Sequence, residues 1–195
     1  SIVGILNGTT NYILSQMTET GVNYANALAD AKKQGFAEAG PTNDVCGFDA
    51  ARKLAILSSI GFRANVTFDD VLVEGIEKID KSDIQYAKDM GYTIKLLTVA
   101  LRQENGIALN VYPAFLPDNH PLSSVKGAYN AIYVTGNIVD DVMFYGRGAG
   151  ALPTASAVMG DVISTAQHIL NGSTGTGMIM TDTKRIPFYS SLKLQ

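Results

Sequence analysis

The sequence predicts an α+β fold: one mixed, largely antiparallel sheet with helices covering one face. Two observations carry this reading. Apolar residues recur at helical spacing through most of the first half of the chain, whereas the second half is built of β-branched and aromatic runs separated by turn signals. Helices grouped first and strands later place the two kinds of element in separate layers. An open sheet with one bare face commonly meets a second copy, so a homodimer through the sheet is the default expectation.

The elements follow in order. Residues 2–6, IVGIL, form a short apolar run that stops at Asn7-Gly8-Thr9-Thr10, a set of capping and turn residues. A helix then runs through Tyr12, Ile13, Leu14 and Met17 and ends at Gly21. A second helix, Tyr24 to Lys33, presents Ala27, Leu28 and Ala31 on one side and stops at Gly35. Gly40-Pro41 makes the segment from Phe36 to Cys46 a loop. From Gly47 to Ile60 comes a long helix with Leu54, Ala55, Leu57 and Ile60 as its buried stripe, closed by Gly61. Phe68-Asp69-Asp70 reads as a short helical turn, and Val71 to Ile76 as a strand. A helix over 82–90 takes Ser82 as N-cap and Gly91 as stop. Strands are predicted at Ile94–Arg102, Ile107–Phe115, Asn130–Thr135 and Asp141–Tyr145, with turns at Glu104-Asn105-Gly106 and Gly136-Asn137. A final helix, Pro153 to Leu170, starts with proline in its first turn after a glycine-rich loop. A loosely ordered Gly/Ser/Thr-rich tail occupies 171–195.

Composition bounds the function. A content of 46% hydrophobic and 17% charged residues is that of a globular protein, and 195 residues are enough to bury a core. A net charge of −3 without a basic, aromatic-interleaved patch argues against a nucleic-acid partner. No apolar run is long enough for a bilayer and no signal-peptide pattern is present, so no membrane association is expected. One cysteine, Cys46, forms no internal disulfide and fits a reducing, cytoplasmic setting. The two histidines, His120 and His168, stand far apart and give no zinc-ligand spacing, so no metal site is assigned. The opening, with Ser first and a strand immediately after it, reads as a chain that begins at a domain boundary.

Four constellations are candidates for chemistry. Asn7-Gly8-Thr9-Thr10 fits either an ordinary N-cap or an anion site at a helix N-terminus. Glu38, Asp44 and Asp49 gather carboxylates near Lys53, which suits the ammonium of a small zwitterion, a solvated acidic loop, or a Mg²⁺ or Ca²⁺ ion, though without EF-hand spacing. Asp49 and Lys53 lie four apart on the predicted helix and so share a face, where a lysine could hand a proton to a reacting oxygen. Gly146-Arg147-Gly148-Ala149-Gly150 resembles a GxGxG turn, whose glycines before a helix allow close backbone approach to a cofactor, but it lies outside any βαβ unit, so it is no dinucleotide fingerprint. Cys46 has no histidine close in sequence and reads as an incidental thiol.

Taken together, Ala31, Gly35-Phe36-Ala37-Glu38, Pro41, Asp44-Val45, Gly47, Asp49 and Lys53 resemble the signature of homoserine dehydrogenase. The opening GILNGTTNYIL and the late YGRGAGALPTASAVMGDV resemble two further blocks of that family, in the same order. The resemblance covers residues 1–170 and implies a nicotinamide-dependent interconversion of L-homoserine and L-aspartate 4-semialdehyde, with NADP or NAD as cofactor. It implies Lys53 as general acid, Asp49 and Glu38 as substrate ligands, Thr9 and Asp44 as support for the same pocket, and Gly35 and Gly150 beside the nicotinamide. Glu38 would take the α-ammonium. Two departures fall in the same loop: Gly40 stands where the family usually has Asp, Asn or Ser, and Cys46 where Glu or Asn is common.

The family's nucleotide-binding domain has no counterpart here. That domain also carries most ligands of a monovalent cation such as sodium, a group expected only in the full-length enzyme. The expectation is thus the catalytic, substrate-binding and dimerising domain alone, inactive without its nucleotide-binding partner. The rival is a non-catalytic amino-acid-binding or dimerisation module that has shed that domain.

Overall fold

In the computed structural model, which describes residues 1–173, six strands form one sheet: β1 (Ile2–Ile5), β2 (Leu72–Val73), β3 (Tyr92–Gln103), β4 (Gly106–Pro117), β5 (Tyr129–Gly136) and β6 (Asp140–Arg147). Their order is β2–β4–β3–β1–β5–β6, and only the β2–β4 contact is parallel. The α+β expectation holds. Two hairpins dominate. In the longer one β3 and β4 pair from Tyr92↔Pro117 to Gln103↔Gly106 around the turn Glu104-Asn105. β1 lies between β3 and β5 and ties the hairpins together; all four of its residues are buried.

Helices α1 (Gly8–Thr20), α2 (Tyr24–Lys33), α3 (Thr42–Val45), α4 (Phe48–Phe62), α5 (Lys81–Asp89) and α6 (Ala151–Leu170), with short 3-10 helices at Phe68–Asp70, as predicted, and Pro121–Ser124, complete the described elements. Ile13, Leu14 and Met17 of α1, Leu54 and Ala55 of α4, and Ile84 and Ala87 of α5 pack in one cluster with Ile94, Leu96, Leu109 and Val111 of the sheet. Each large side chain so buried contributes about 1.5–3 kcal/mol. A smaller cluster lies on the other face: Val3, Ile5, Leu97, Val99, Ala114 and Leu116 meet Leu122 and Val125 from the segment after β4. That face is therefore partly closed by the chain itself. β3 is buried without interruption from Ile94 to Ala100, as a strand covered on both faces must be.

A polar knot fills the space past the end of β1, where β3 and β5 lose their shared neighbour. Lys95, fully buried, donates from Nζ to Asn11 Oδ1 (2.9 Å) and to the Val125 carbonyl. Asn11 Nδ2 in turn donates to the carbonyls of Val125, Gly127 and Tyr129 at 3.1, 2.9 and 3.2 Å. Ser15 Oγ accepts the Gly127 N–H. Burial pushes the Lys95 ammonium down from 10.5 to about 8, with Glu19 and Lys126 as opposing nearby charges.

Several predicted details change. The loop Phe36–Cys46 contains the single-turn helix α3, because Pro41 sits at its N-cap, where a missing N–H costs nothing. The predicted strand Val71–Ile76 shortens to Leu72–Val73: the Glu74 N–H still reaches Val111 O, but Ile76 N–H turns to Val45 O instead. Asp80, not Ser82, caps α5, with its side chain accepting from Ser82 and Asp83 N–H and Asp83 closing a capping box. Ile60 is half exposed rather than part of the buried stripe, which is Ala50, Ala51, Leu54, Ala55 and Ser58. Helix α6 buries none of its residues, and Leu152, Val158 and Val162 face outward. The predicted tail lies outside the described residues from 174 onward.

Candidate active site

Asn7 organises the site. It is the N-cap of α1: its extended backbone (φ −125°) turns the chain out of β1, and its Oδ1 accepts the Thr10 N–H at 2.9 Å. The other half of the same amide points the opposite way. Nδ2 donates to Asp44 Oδ1 at 2.7 Å and to Asp49 Oδ2 at 2.9 Å, holding two carboxylates side by side. Asp44 comes from α3 and Asp49 from the first turn of α4, where the helix dipole favours an anion.

The start of α4 is fixed by Gly47, whose φ of +83° belongs to the left-handed region. A Cβ there would also stand 3.0 Å from Val73 Cγ1 and 3.2 Å from Val111 Cγ1. This turn delivers Asp49 to Asn7, and one helical turn later it delivers Lys53. Lys53 Nζ donates to Asp49 Oδ2 at 2.7 Å and to the Leu6 carbonyl at 3.1 Å. An ammonium has three donors, so one N–H remains for a ligand. Asn130 Nδ2 shares the Leu6 carbonyl at 3.2 Å, and its buried Oδ1 has no partner among the described residues.

These side chains open into a cleft of about 390 Å³, lined also by Gly8, Thr9, Gly35, Phe36, Ala128 and the turn Arg147–Gly150. Its walls meet closely: a Cβ on Gly8 would lie 2.8 Å from the Ala128 carbonyl. Thr9 Oγ1 donates to Phe36 O at 2.6 Å, which leaves its lone pairs facing outward as acceptors. Phe36 is held in turn by the ring of Tyr12, 4.6 Å away, whose hydroxyl donates to Asp30 and is pushed up to about 12 by that bond. The cleft is polar, carries two carboxylates and two cations, and has one lysine N–H without a partner among the described residues.

Of the residues singled out from sequence, Thr9, Gly35, Asp44, Asp49, Lys53 and Gly150 all line this cleft. Gly35 and Gly150 do so with φ of +78° and +121°. Glu38 does not line it; its side chain is exposed on the loop beyond Phe36. Cys46 lies outside it, with Sγ donating to Glu77 Oε2 at 2.9 Å, and that bond raises the thiol to about 11. Such a thiol is a poor nucleophile at neutral pH. Asn7 and Arg147 fall within two of the candidate constellations but receive no individual role from the sequence, and Asn130 carries no sequence signal as a site residue. Among the described residues no group of three or more His, Cys, Asp or Glu side chains stands together as a metal site, and no helix is long and apolar enough to cross a membrane.

The family model for homoserine dehydrogenase matches residues 1–163. The chain belongs to the homoserine dehydrogenase family. It is 47% identical over 178 residues to the homoserine dehydrogenase of Bacillus subtilis, covering 91% of this chain and 41% of that protein. It is 51% identical over 179 residues to the Mycobacterium tuberculosis enzyme of the same name, covering 89% and 41%. Among solved structures, a homoserine dehydrogenase from Thiobacillus denitrificans superposes with a TM-score of 0.91 at 41% identity, covering 95% of this chain and 45% of that one. A hyperthermophilic archaeal homoserine dehydrogenase in complex with NADPH gives 0.69 at 28% identity, covering 85% and 47%. The chain thus spans about two fifths of the length of the curated family members it matches.

Proposed function

We propose that this chain is the catalytic, substrate-binding and dimerisation part of a homoserine dehydrogenase, acting on L-homoserine and L-aspartate 4-semialdehyde with NADP or NAD. The observation that supports it best is the hydrogen-bonded set Asn7, Asp44, Asp49 and Lys53 at the floor of one cleft.

In this reading the substrate's ammonium meets the free oxygens of Asp44 and Asp49 and the acceptor lone pairs of Thr9. Glu38, exposed on the loop beyond Phe36, is the further carboxylate that the family resemblance assigns to the ammonium. The aldehyde oxygen lies against the third N–H of Lys53. Lys53 protonates that oxygen as the carbon is reduced, and the neutral amine regains a proton from water in the cleft; the oxidation runs the same proton path backward. Asp49 and the Leu6 carbonyl keep the lysine aimed during the transfer. The nicotinamide cofactor supplies the hydride when bound. Gly35 and Gly150, both in positive-φ conformations at the cleft edge, are the groups here that would lie beside it. The glycine turn Gly146–Gly150 follows a strand paired antiparallel, so the described residues offer no phosphate-binding βαβ cradle there.

The cofactor's main seat, and a monovalent cation such as sodium, therefore belong to the remainder of the enzyme. A homodimer forms through the sheet face opposite the helices, where Tyr112, Tyr133 and Met143 rim the smaller apolar cluster. The setting is the cytoplasm, in the route to threonine, methionine and isoleucine. The test is turnover. The complete polypeptide should oxidise L-homoserine with NADP or NAD, and this chain alone should not. A complete polypeptide inert toward homoserine overturns the assignment, and NADPH oxidation by the isolated chain overturns its dependence on the missing domain.

A further inference from the structure

The cleft contains a second cation that the proton-transfer scheme leaves idle. Lys53 is committed to Asp49 and to the Leu6 carbonyl, whereas the Arg147 side chain lines the same cleft with no ion pair and no hydrogen bond among the described residues. Arg147 is nonetheless not a loose surface side chain. It closes β6 directly opposite Tyr129, and its guanidinium lies over the Tyr129 ring, 4.9 Å from the centroid. Tyr129 is stacked on Tyr145 at 5.0 Å with the planes 9° apart. A guanidinium over an aromatic ring spends none of its N–H donors on that contact, and they form a fork that matches a carboxylate.

The electrostatics of the cleft leave a specific gap. An α-amino acid brings one ammonium and one carboxylate. Asp44 and Asp49 answer the first. Near them, the N–H groups of Gly8 and Thr9 open α1 and, as the first two helical positions, have no carbonyl within the helix to bond. Helix N-terminal amides help an anion, but Arg147 is the one full positive charge lining the cleft that is not already paired among the described residues.

We propose that Arg147 is a substrate-binding residue that takes the α-carboxylate of the amino-acid substrate and so selects α-amino acids over simple amino alcohols or aldehydes. The inference rests on the homoserine dehydrogenase reading and adds to it a ligand which that reading does not contain. Arg147 takes no part in the proton or hydride transfer.

The experiment compares wild-type complete polypeptide with Arg147→Gln and Arg147→Lys, measuring KM and kcat for L-homoserine, KM for the dinucleotide, and turnover of L-homoserinamide, in which the carboxylate is an uncharged amide. Loss of a charge-assisted pair predicts KM for homoserine raised roughly ten-fold or more in Arg147→Gln, with a smaller rise in Arg147→Lys. The KM for the dinucleotide should stay within about two-fold of wild type, as should kcat, and the variants should match wild type on homoserinamide. An unchanged KM for homoserine overturns the inference. So does a rise confined to the dinucleotide, which would assign Arg147 to a cofactor phosphate. A wild-type polypeptide without homoserine turnover would sink the underlying functional reading instead, so the two failures are distinguishable.

Discussion

At the scale of single residues, Asn7 joins folding to function. Its Oδ1 caps α1 while its Nδ2 holds Asp44 and Asp49 together. The two roles separate by substitution. Serine caps a helix about as well as asparagine, but its single hydroxyl donor cannot bridge both carboxylates as the two amide N–H groups do. Asn7→Ser should leave the denaturation midpoint of the chain near wild type while kcat/KM for homoserine in the complete polypeptide falls roughly ten-fold. Asn7→Ala should show the same kinetic loss and an added destabilisation of about 0.5–2 kcal/mol from the missing cap. Unaltered kcat/KM in Asn7→Ser would mean that the bridge is not needed. The sequence shows why this residue is hard to find. Asp49 and Lys53 are legible as a pair because they lie one helical turn apart. Asn7 reaches its partners across 37 and 42 residues, and no local pattern records that.

At the scale of elements, the long hairpin, the central strand and the helices α1, α2 and α4 follow from local chemistry. Asn7 and Gly21 bracket α1 as cap and stop, and Glu104-Asn105-Gly106 turns β3 into β4. The errors cluster where tertiary contacts override the local signal. Pro41 was a breaker on paper and is a helix starter in the fold; the chain after Val73 abandons β4 to bond Val45. Two glycines of the active-site segment make opposite predictions. Gly40 has no positive φ, and a Cβ there would meet nothing within 4 Å. Gly40→Ala should therefore stabilise the chain by about 0.4–1 kcal/mol through the unfolded state. Gly47→Ala must accept a left-handed backbone, at roughly 1–2 kcal/mol, and crowd Val73 and Val111 as well. Chemical denaturation of both variants checks the pair: a stabilised Gly47→Ala, or a Gly40→Ala destabilised by more than the expected gain, contradicts this account of the segment.

At the scale of the whole molecule, two features stand out. The first is the buried Lys95, which holds α1 and the wall carrying Ala128 and Asn130 in register through Asn11. Its ammonium titrates near 8 in the fold and near 10.5 in the unfolded chain. Below pH 8 both states are charged, and the fold bears the full burial penalty, on the order of 3 kcal/mol by the free energy equivalent to that shift. Between 8 and 10.5 the unfolded chain binds the proton that the folded one has released, so stability rises with pH. Cys46, raised from 9.0 to about 11, opposes that rise above its ordinary 9.0, and Tyr12 and Tyr24, raised to about 12, oppose it above 10.0. Urea unfolding of the chain between about pH 7.5 and about pH 9, before the thiol and the tyrosines ionise in the unfolded chain, should show the rise, and Lys95→Met should flatten it. A wild-type curve as flat as that of the variant would contradict this reading of Lys95.

The second feature is division of labour. On the proposed reading this chain supplies the proton donor and the substrate ligands but only the rim of a cofactor site, and it spans about two fifths of its curated relatives. The most direct test of that division is steady-state kinetics of the complete polypeptide carrying Lys53→Ala, paired with a measurement of dinucleotide binding. The account predicts that kcat falls by roughly a hundred-fold or more, the usual contribution of a general acid, while the dinucleotide binds as before. A variant that keeps near-normal kcat would remove Lys53 from the mechanism, and one that loses dinucleotide affinity instead would place it on the wrong side of the reaction.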